Sequence, residues 1–205
     1  MKTLIIVGTF TSLALVHGAS PQTAPSIRER AMAAGGVPIT MSVMYDVELL
    51  SAADLAANAD LIVEGRLVRL KSYYWPEEDT IYTDYRLIPN QIISERGTRT
   101  NTSPGPSKPV VVTLRGGEVL MEGTPVTLVD STRKVVNENT PLLLFLKRRG
   151  QTEPLYEVYG AAAGMFEIDR ENVLHSTVRN NQSGEFHGLR VQEALTRIKA
   201  AVRPK

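Results

Sequence analysis

The stretch "NADLIVEGRLVRL", Asn58 to Leu70, begins as a half-buried strand and then changes step. Apolar side chains fall on Leu61, Val63 and Leu67, but the next ones are Val68 and Leu70, and the polar residues slip with them, from Glu64 and Arg66 to Arg69 and Lys71. Successive residues of a strand face opposite sides, so a slip of one residue exchanges the two faces beyond it. A bulge does this by adding one residue to one strand, and Gly65 is where such a bend meets no side chain. A long first strand that must serve two parts of a closing sheet has to bend, and small OB-type barrels need a strongly coiled first strand of this kind.

Working outward, the text is strand upon strand. "TIYTDYRLI" sets Ile81, Thr83, Tyr85 and Leu87 on one face against Tyr82, Asp84 and Arg86 on the other, and Pro89 should then end or bulge the strand. "KPVVVTLRGG" alternates Val110, Val112 and Leu114 with Val111, Thr113 and Arg115, and Gly116–Gly117 invites a hairpin into "EVLMEGTPVTLVD", itself interrupted near Gly123 and Pro125. "PLLLFLKRR" predicts a strand covered on both faces over Leu142 to Leu146, with Lys147, Arg148 and Arg149 emerging into water. "PLYEVYG" and "GMFEIDREN" have the pattern of a closing hairpin.

Helices are expected only at the two ends. Tyr45 to Asp60 carries Leu49, Leu50, Ala53 and Ala57 at helical spacing, with Asp46 or Ser51 as its cap. Leu189, Val191, Leu195, Ile198 and Val202 make a helical stripe near the other end. The fold class that follows is mainly β: a small antiparallel OB-like β-barrel with a short N-terminal helix and a C-terminal helix.

The first residues, "MKTLIIVGTFTSLALVHGAS", have the layout of a secretory signal peptide: Lys2, an apolar run from Thr3 to Val16, then small residues, with cleavage after Gly18 or Ala19. Residues 1–19 are therefore set apart as a signal peptide, residues 20–44, broken by Pro21, Pro25, Gly35, Gly36 and Pro38, as a flexible lead-in, and residues 45–203 as a single barrel domain. Removing that segment takes away Lys2 and no acid, which leaves basic and acidic residues equal in number. Such a chain has no global field to draw in nucleic acid or an anionic membrane. The absence of cysteine excludes disulfides, a thiolate nucleophile and a zinc–thiolate site, so stability rests on packing. The sequons at Asn101 and Asn181 are expected to be chance matches in loops of a bacterial protein.

"ADLIVEGRLV", "YTDYRLIPNQIIS", "LRGGEV", "PLLLFLKR" and "YEVYGAAAGMFEID" together resemble a widespread group of uncharacterised exported bacterial proteins with an OB-like barrel. The resemblance spans about Leu49 to Val173, and its motifs are structural. A more distant likeness is to the netrin-like and metalloproteinase-inhibitor barrels, whose inhibitory mechanism depends on an N-terminal cysteine that this chain lacks. Where the group often has a tight Leu-Lys-Gly turn, this chain has a polar insertion from Ser94 to Pro109, expected to be a mobile loop.

Chemistry is sparse in the motifs. His175 and His187 have no metal-binding spacing and are expected to be solvated; Ser176 directly follows His175, and no G-x-S-x-G elbow, Walker motif or G-x-G-x-x-G is present. No metal and no cofactor are expected. What remains is "SYYWPEED", Ser72 to Asp79, which puts Tyr73, Tyr74 and Trp75 beside Glu77, Glu78 and Asp79 in the first inter-strand loop, where OB barrels carry ligand contacts. Those aromatics form either a contact patch or a lid on the barrel end. Arg66, Arg69, Lys71, Lys147, Arg148 and Arg149 are candidates for one basic face. The expectation is an exported, secreted or periplasmic module that binds a protein or glycan ligand of the cell envelope through Tyr73, Tyr74 and Trp75, without catalysis and without nucleic acid or membrane as partner. The alternative is a glycan- or ester-cleaving hydrolase using Glu77, Glu78 or Asp79.

Overall fold

The computed structural model describes residues 24–44, 47, 50–96, 109–150, 155–179 and 185–202. The signal segment 1–19, most of the polar insertion (97–108), Leu49 and both sequon asparagines lie outside the described residues.

A closed five-stranded OB-like barrel forms the body of the molecule, built from β2 (Leu61–Trp75), β3 (Thr80–Glu95), β4 (Val111–Arg115), β7 (Leu142–Arg148) and β8 (Leu155–Val158). Strand β2 pairs with both β3 and β7, β3 with β4, and β8 closes the ring by pairing antiparallel with β7 and parallel with β4. Leu61, Val63, Leu67, Leu87, Val112, Leu114, Leu142, Leu144 and Leu146 fill its interior. The apolar run of β7 is buried on both faces, as its composition requires: Leu142, Leu144 and Leu146 enter the barrel, and Leu143 and Phe145 turn to the helices outside.

Those helices are α2 (Ala52–Asn58), whose N-cap is Ser51, bonded to the Asp54 amide, and α3 (Val191–Val202). Helix α2 buries Ala52, Leu55 and Ala56, so the expected stripe on Ala53 and Ala57 is displaced by one residue, and these two face solvent. Helix α3 buries Val191, Leu195 and Ile198 as the stripe predicts. Between the helices and the barrel wall lie Ile62, Phe145, Phe166 and Phe186.

Several expectations are corrected. Residues 27–43, expected within a flexible lead-in, form α1 (Ile27–Ala34), opened by a Ser26–Glu29 capping box, and β1 (Ile39–Val43). Strand β1 runs parallel to β6 (Thr124–Asp130), which pairs antiparallel with β5 (Gly117–Met121), making a second, three-stranded sheet. Gly116–Gly117 is not a hairpin turn. It is a corner at which the chain leaves the barrel for this second sheet; the hairpin lies at Glu122–Gly123, where both residues have positive φ as a two-residue turn requires. Strand β8 and β9 (Met165–Ile168) do not pair with each other: β9 pairs with β7 and with β10 (Leu174–Ser176).

The change of step in β2 is real but lies further along than Gly65. Near Gly65 the extra residues, Ile93 and Asn90, are in β3, so Leu61, Val63, Gly65 and Leu67 keep one face. Within β2 the added residue is Leu70, between the pairs Arg69↔Tyr85 and Lys71↔Asp84. It is 51% exposed. Beyond it Ser72 and Tyr74 continue the inward face, packing with Thr83 and Ile81 toward the second sheet, while Lys71, Tyr73 and Trp75 turn outward.

Candidate functional site

Strand alternation separates the aromatic run that the sequence places together, and the Leu70 bulge sets which of its members face outward. Tyr73 and Trp75 share the outer face of the β2–β3 hairpin with Tyr82, the cross-strand partner of Tyr73. Ring centroids of Tyr73 lie 6.3 Å from Trp75 and 6.2 Å from Tyr82. Tyr74 points the other way, and its hydroxyl donates to Asp79 Oδ1 at 2.7 Å. The three residues also belong to the end of strand β2 and not to a loop; the connecting turn is a single 3₁₀ turn, Pro76–Glu78, closed by Asp79 in the left-handed region.

On the same outer face, β4 contributes Thr113 and Arg115, set opposite Asp84 and Tyr82. Thr113 Oγ1 donates to Asp84 Oδ1 at 2.7 Å, and the Tyr73 hydroxyl reaches the same oxygen at 3.4 Å. Arg149, just past β7, lays its guanidinium 4.8 Å from the Tyr82 ring centre and 5.7 Å from that of Trp75. Its Nη2 donates to Glu78 Oε1 at 3.2 Å. Arg115 Nη2 donates to the other carboxylate oxygen at 3.4 Å, and the Tyr82 hydroxyl also donates to that oxygen. The two edges of this surface are therefore the β2–β3 turn, which carries Glu78, and the end of β7, after which Arg149 follows.

A cleft of about 420 Å³ opens beside it, lined by Tyr82, Arg115, Arg149, Glu157, Leu114 and Val158 among others. Burial first, then the hydrogen bond to Glu78, raises the pKa of the Tyr82 hydroxyl, while Arg115 pulls it down. Burial, then the charge of Asp84, raises that of Tyr73. Both phenols are therefore protonated donors at neutral pH.

Of the carboxylates weighed for hydrolysis, Glu78 and Asp79 do not converge, and Glu77 is exposed in the same turn. Glu78 is held on the outer face, whereas Asp79 turns to the opposite side of the hairpin, where its two oxygens accept from the Ile27 amide at 2.9 and 3.1 Å. A glycosidase pair must flank one scissile bond, and these two carboxylates face apart. The basic residues also part company: Arg149 and Lys71 join the aromatics, Lys71 standing 5.6 Å from the Tyr73 ring centre, while Lys147 Nζ and the Arg148 amide bond Asp60. The histidines expected to be solvated come together with rings 5.7 Å apart: His175 pairs with Asp169 at 2.7 Å, and His187 Nδ1 accepts from the Ser176 amide, directed at backbone and not at the serine hydroxyl. Among the described residues no group of three or more His, Asp or Glu side chains is arranged to hold a metal.

Compared with known proteins, the chain matches no family model and no curated protein sequence. The site residues that motif reading passed over are Tyr82, Asp84, Thr113 and Arg115. Their alternation was visible, since each sits on the polar face of its strand, but only the β3–β4 register sets them side by side.

Proposed function

We propose that this chain is an exported binding module of the bacterial cell envelope, whose barrel holds a glycan on the outer face of β3 and β4 without cleaving it. One observation carries the reading: Tyr82, Asp84, Thr113 and Arg115 on the second and third strands of an OB-like barrel, the strands that carry the ligand face in such barrels, are joined by Tyr73 and Trp75 from the end of the first strand and by Arg149 from just past the fourth. Flat rings beside planar hydrogen-bonding groups suit a sugar ring, which offers an apolar face to the aromatics and hydroxyls at its edge. A protein partner would call for an apolar patch at the centre of the contact. On this face Trp75 is 39% exposed; Leu70, 51% exposed, stands at the bulge earlier in the same strand, and the other exposed large apolar side chains among the described residues are on different elements. The balanced charge supports neither nucleic acid nor an anionic membrane as the ligand.

Trp75 is the single tryptophan, so its emission reports this face alone. Cell-envelope glycan fractions are expected to quench it in a saturable way, with binding lost in Trp75→Ala. Binding that is indifferent to Trp75→Ala, or quenching by envelope proteins and by no glycan, would refute the reading. Export is tested separately, by the N-terminal residue of the chain recovered from the producing cells: a start within one or two residues of Ser20 is expected, and a start at Met1 would refute it.

A further inference from the structure

The Glu78 carboxylate sits in a cradle of three donors drawn from three places in the fold: Tyr82 on β3, Arg115 on β4 and Arg149 past β7. Tyr82 is the fixed point of the cradle. Tyr82 is almost fully buried, Arg115 Nε also bonds its hydroxyl at 3.3 Å, and the Arg149 guanidinium lies against its ring. Arg133 Nη2, itself held by Asp130, donates to the Arg115 carbonyl at 2.8 Å and fixes that end of β4.

Glu78 comes from a one-turn connection, and its side chain is 40% exposed, as open as that of Arg115 at 43%. The turn itself is anchored by the neighbouring Asp79, bonded to Ile27 and Tyr74, so Glu78 can leave by rotating its own side chain while the backbone stays in place. Ion pairs this open to solvent hold weakly, so its departure removes little from the fold. Arg149, which lies over Trp75, and Arg115, which lines the same cleft, keep a planar, bidentate preference for a carboxylate.

Resting on the glycan-binding reading above, we infer that the ligand is an acidic glycan, and that a uronic-acid carboxylate replaces Glu78 between Arg115, Arg149 and Tyr82. Glu78 is then a tethered competitor that keeps the arginines in position and sets the affinity. The sugar ring that bears the carboxylate lies against Trp75 and Tyr73, which stand beside the cradle. Neutral glycans gain the stacking but cannot displace Glu78.

The experiment titrates the full chain with tetragalacturonate and with its methyl-esterified, uncharged form, following Trp75 emission. The acid form is expected to bind about tenfold or more tightly than the ester, the size of one hydrogen bond to a charged group. Glu78→Ala should tighten the acid form several-fold and leave the ester unchanged; Arg149→Gln, or Arg115→Gln should that variant not fold, should abolish the preference. Added salt should weaken the acid form only. Equal binding of the two forms, with Glu78→Ala without effect, would overturn the carboxylate assignment and leave the glycan face standing. Binding of neither form to the parent chain or to Glu78→Ala would overturn both.

Discussion

Gly65→Ala tests how closely the first barrel strand is held. At Gly65, β2 lies between Pro89 of β3 and Leu142 of β7, so neither neighbour can move aside without disturbing the ring. An added Cβ would stand 2.6 Å from the Ile88 carbonyl oxygen and 3.1 Å from Pro89 Cα, where ordinary contact begins at 3.4 Å, and 3.0 Å from a Leu87 methyl in the barrel interior. Two of these three atoms are backbone, in the stretch where β3 carries its bulged Asn90, so relief requires the strands to part. Overpacking of this kind costs about 1–3 kcal/mol. Alanine also restricts the unfolded chain, which returns roughly 0.4–1 kcal/mol. Overpacking wins, and the melting temperature should fall by about 2–8 °C for a chain of this size. Urea and thermal unfolding followed by circular dichroism measure it, with Arg66→Ala, at an exposed neighbour, expected to stay within about 0.5 kcal/mol of the parent. A Gly65→Ala protein as stable as the parent would refute the close approach of β3.

Phe186→Ala should be more damaging, by about 3–5 kcal/mol in chemical unfolding, because Phe186 is fully buried against Phe145 and Phe166 with centroids at 5.5 and 5.7 Å. Burial, then the Asp79 hydrogen bond, pushes the Tyr74 hydroxyl up to about 12. Its contribution is complete below the ordinary tyrosine value and is lost as pH rises through about 12, so ultraviolet titration should find one tyrosine ionising late, and less so in Asp79→Asn. The His175 hydrogen bond, then the Val173 amide, hold the Asp169 carboxyl below its usual range. That stabilisation is present above the usual aspartate range and disappears as pH falls through the depressed value; carbon-detected NMR should show Asp169 titrating low in the parent and nearer its ordinary value in His175→Phe.

Strong local periodicity made part of the fold legible. The run Leu142–Leu146, short and bounded by Pro141 and by charges, reads as a strand buried on both faces, and the stripe from Leu189 to Val202 reads as a helix with one covered side, which the structure begins at Val191. Features that depend on distant pairing were not legible. Strand β1 owes its existence to β6, as in Ile39↔Val126, and α1 offers only Ile27 and Ala31 as buried positions, too few to stand out among glycines and prolines. Phe186 lies in a polar segment that carries no period, yet it joins the aromatic core.

The site divides along the same line. "SYYWPEED" has Tyr73, Trp75 and Glu78, which do meet on one face, but read as a loop it gives no reason to drop Tyr74 or Asp79; read as the end of β2, alternation alone turns Tyr74 away from its neighbours. Which set faces outward depends on one inserted residue, Leu70, whose position follows from the pairing of Arg69 and Lys71 with β3. Arg115 and Arg149 come from strands far apart in sequence, so their meeting over Tyr82 is a property of barrel closure.

The most direct test of the account is a two-dimensional amide and indole NMR titration of the full chain with an acidic oligosaccharide. The account predicts that the Trp75 indole and the amides of Tyr82, Thr113 and Arg149 shift together on one binding curve. Shifts confined to the sheet of β1, β5 and β6, or to the histidine pair, with these four signals unmoved, would contradict it.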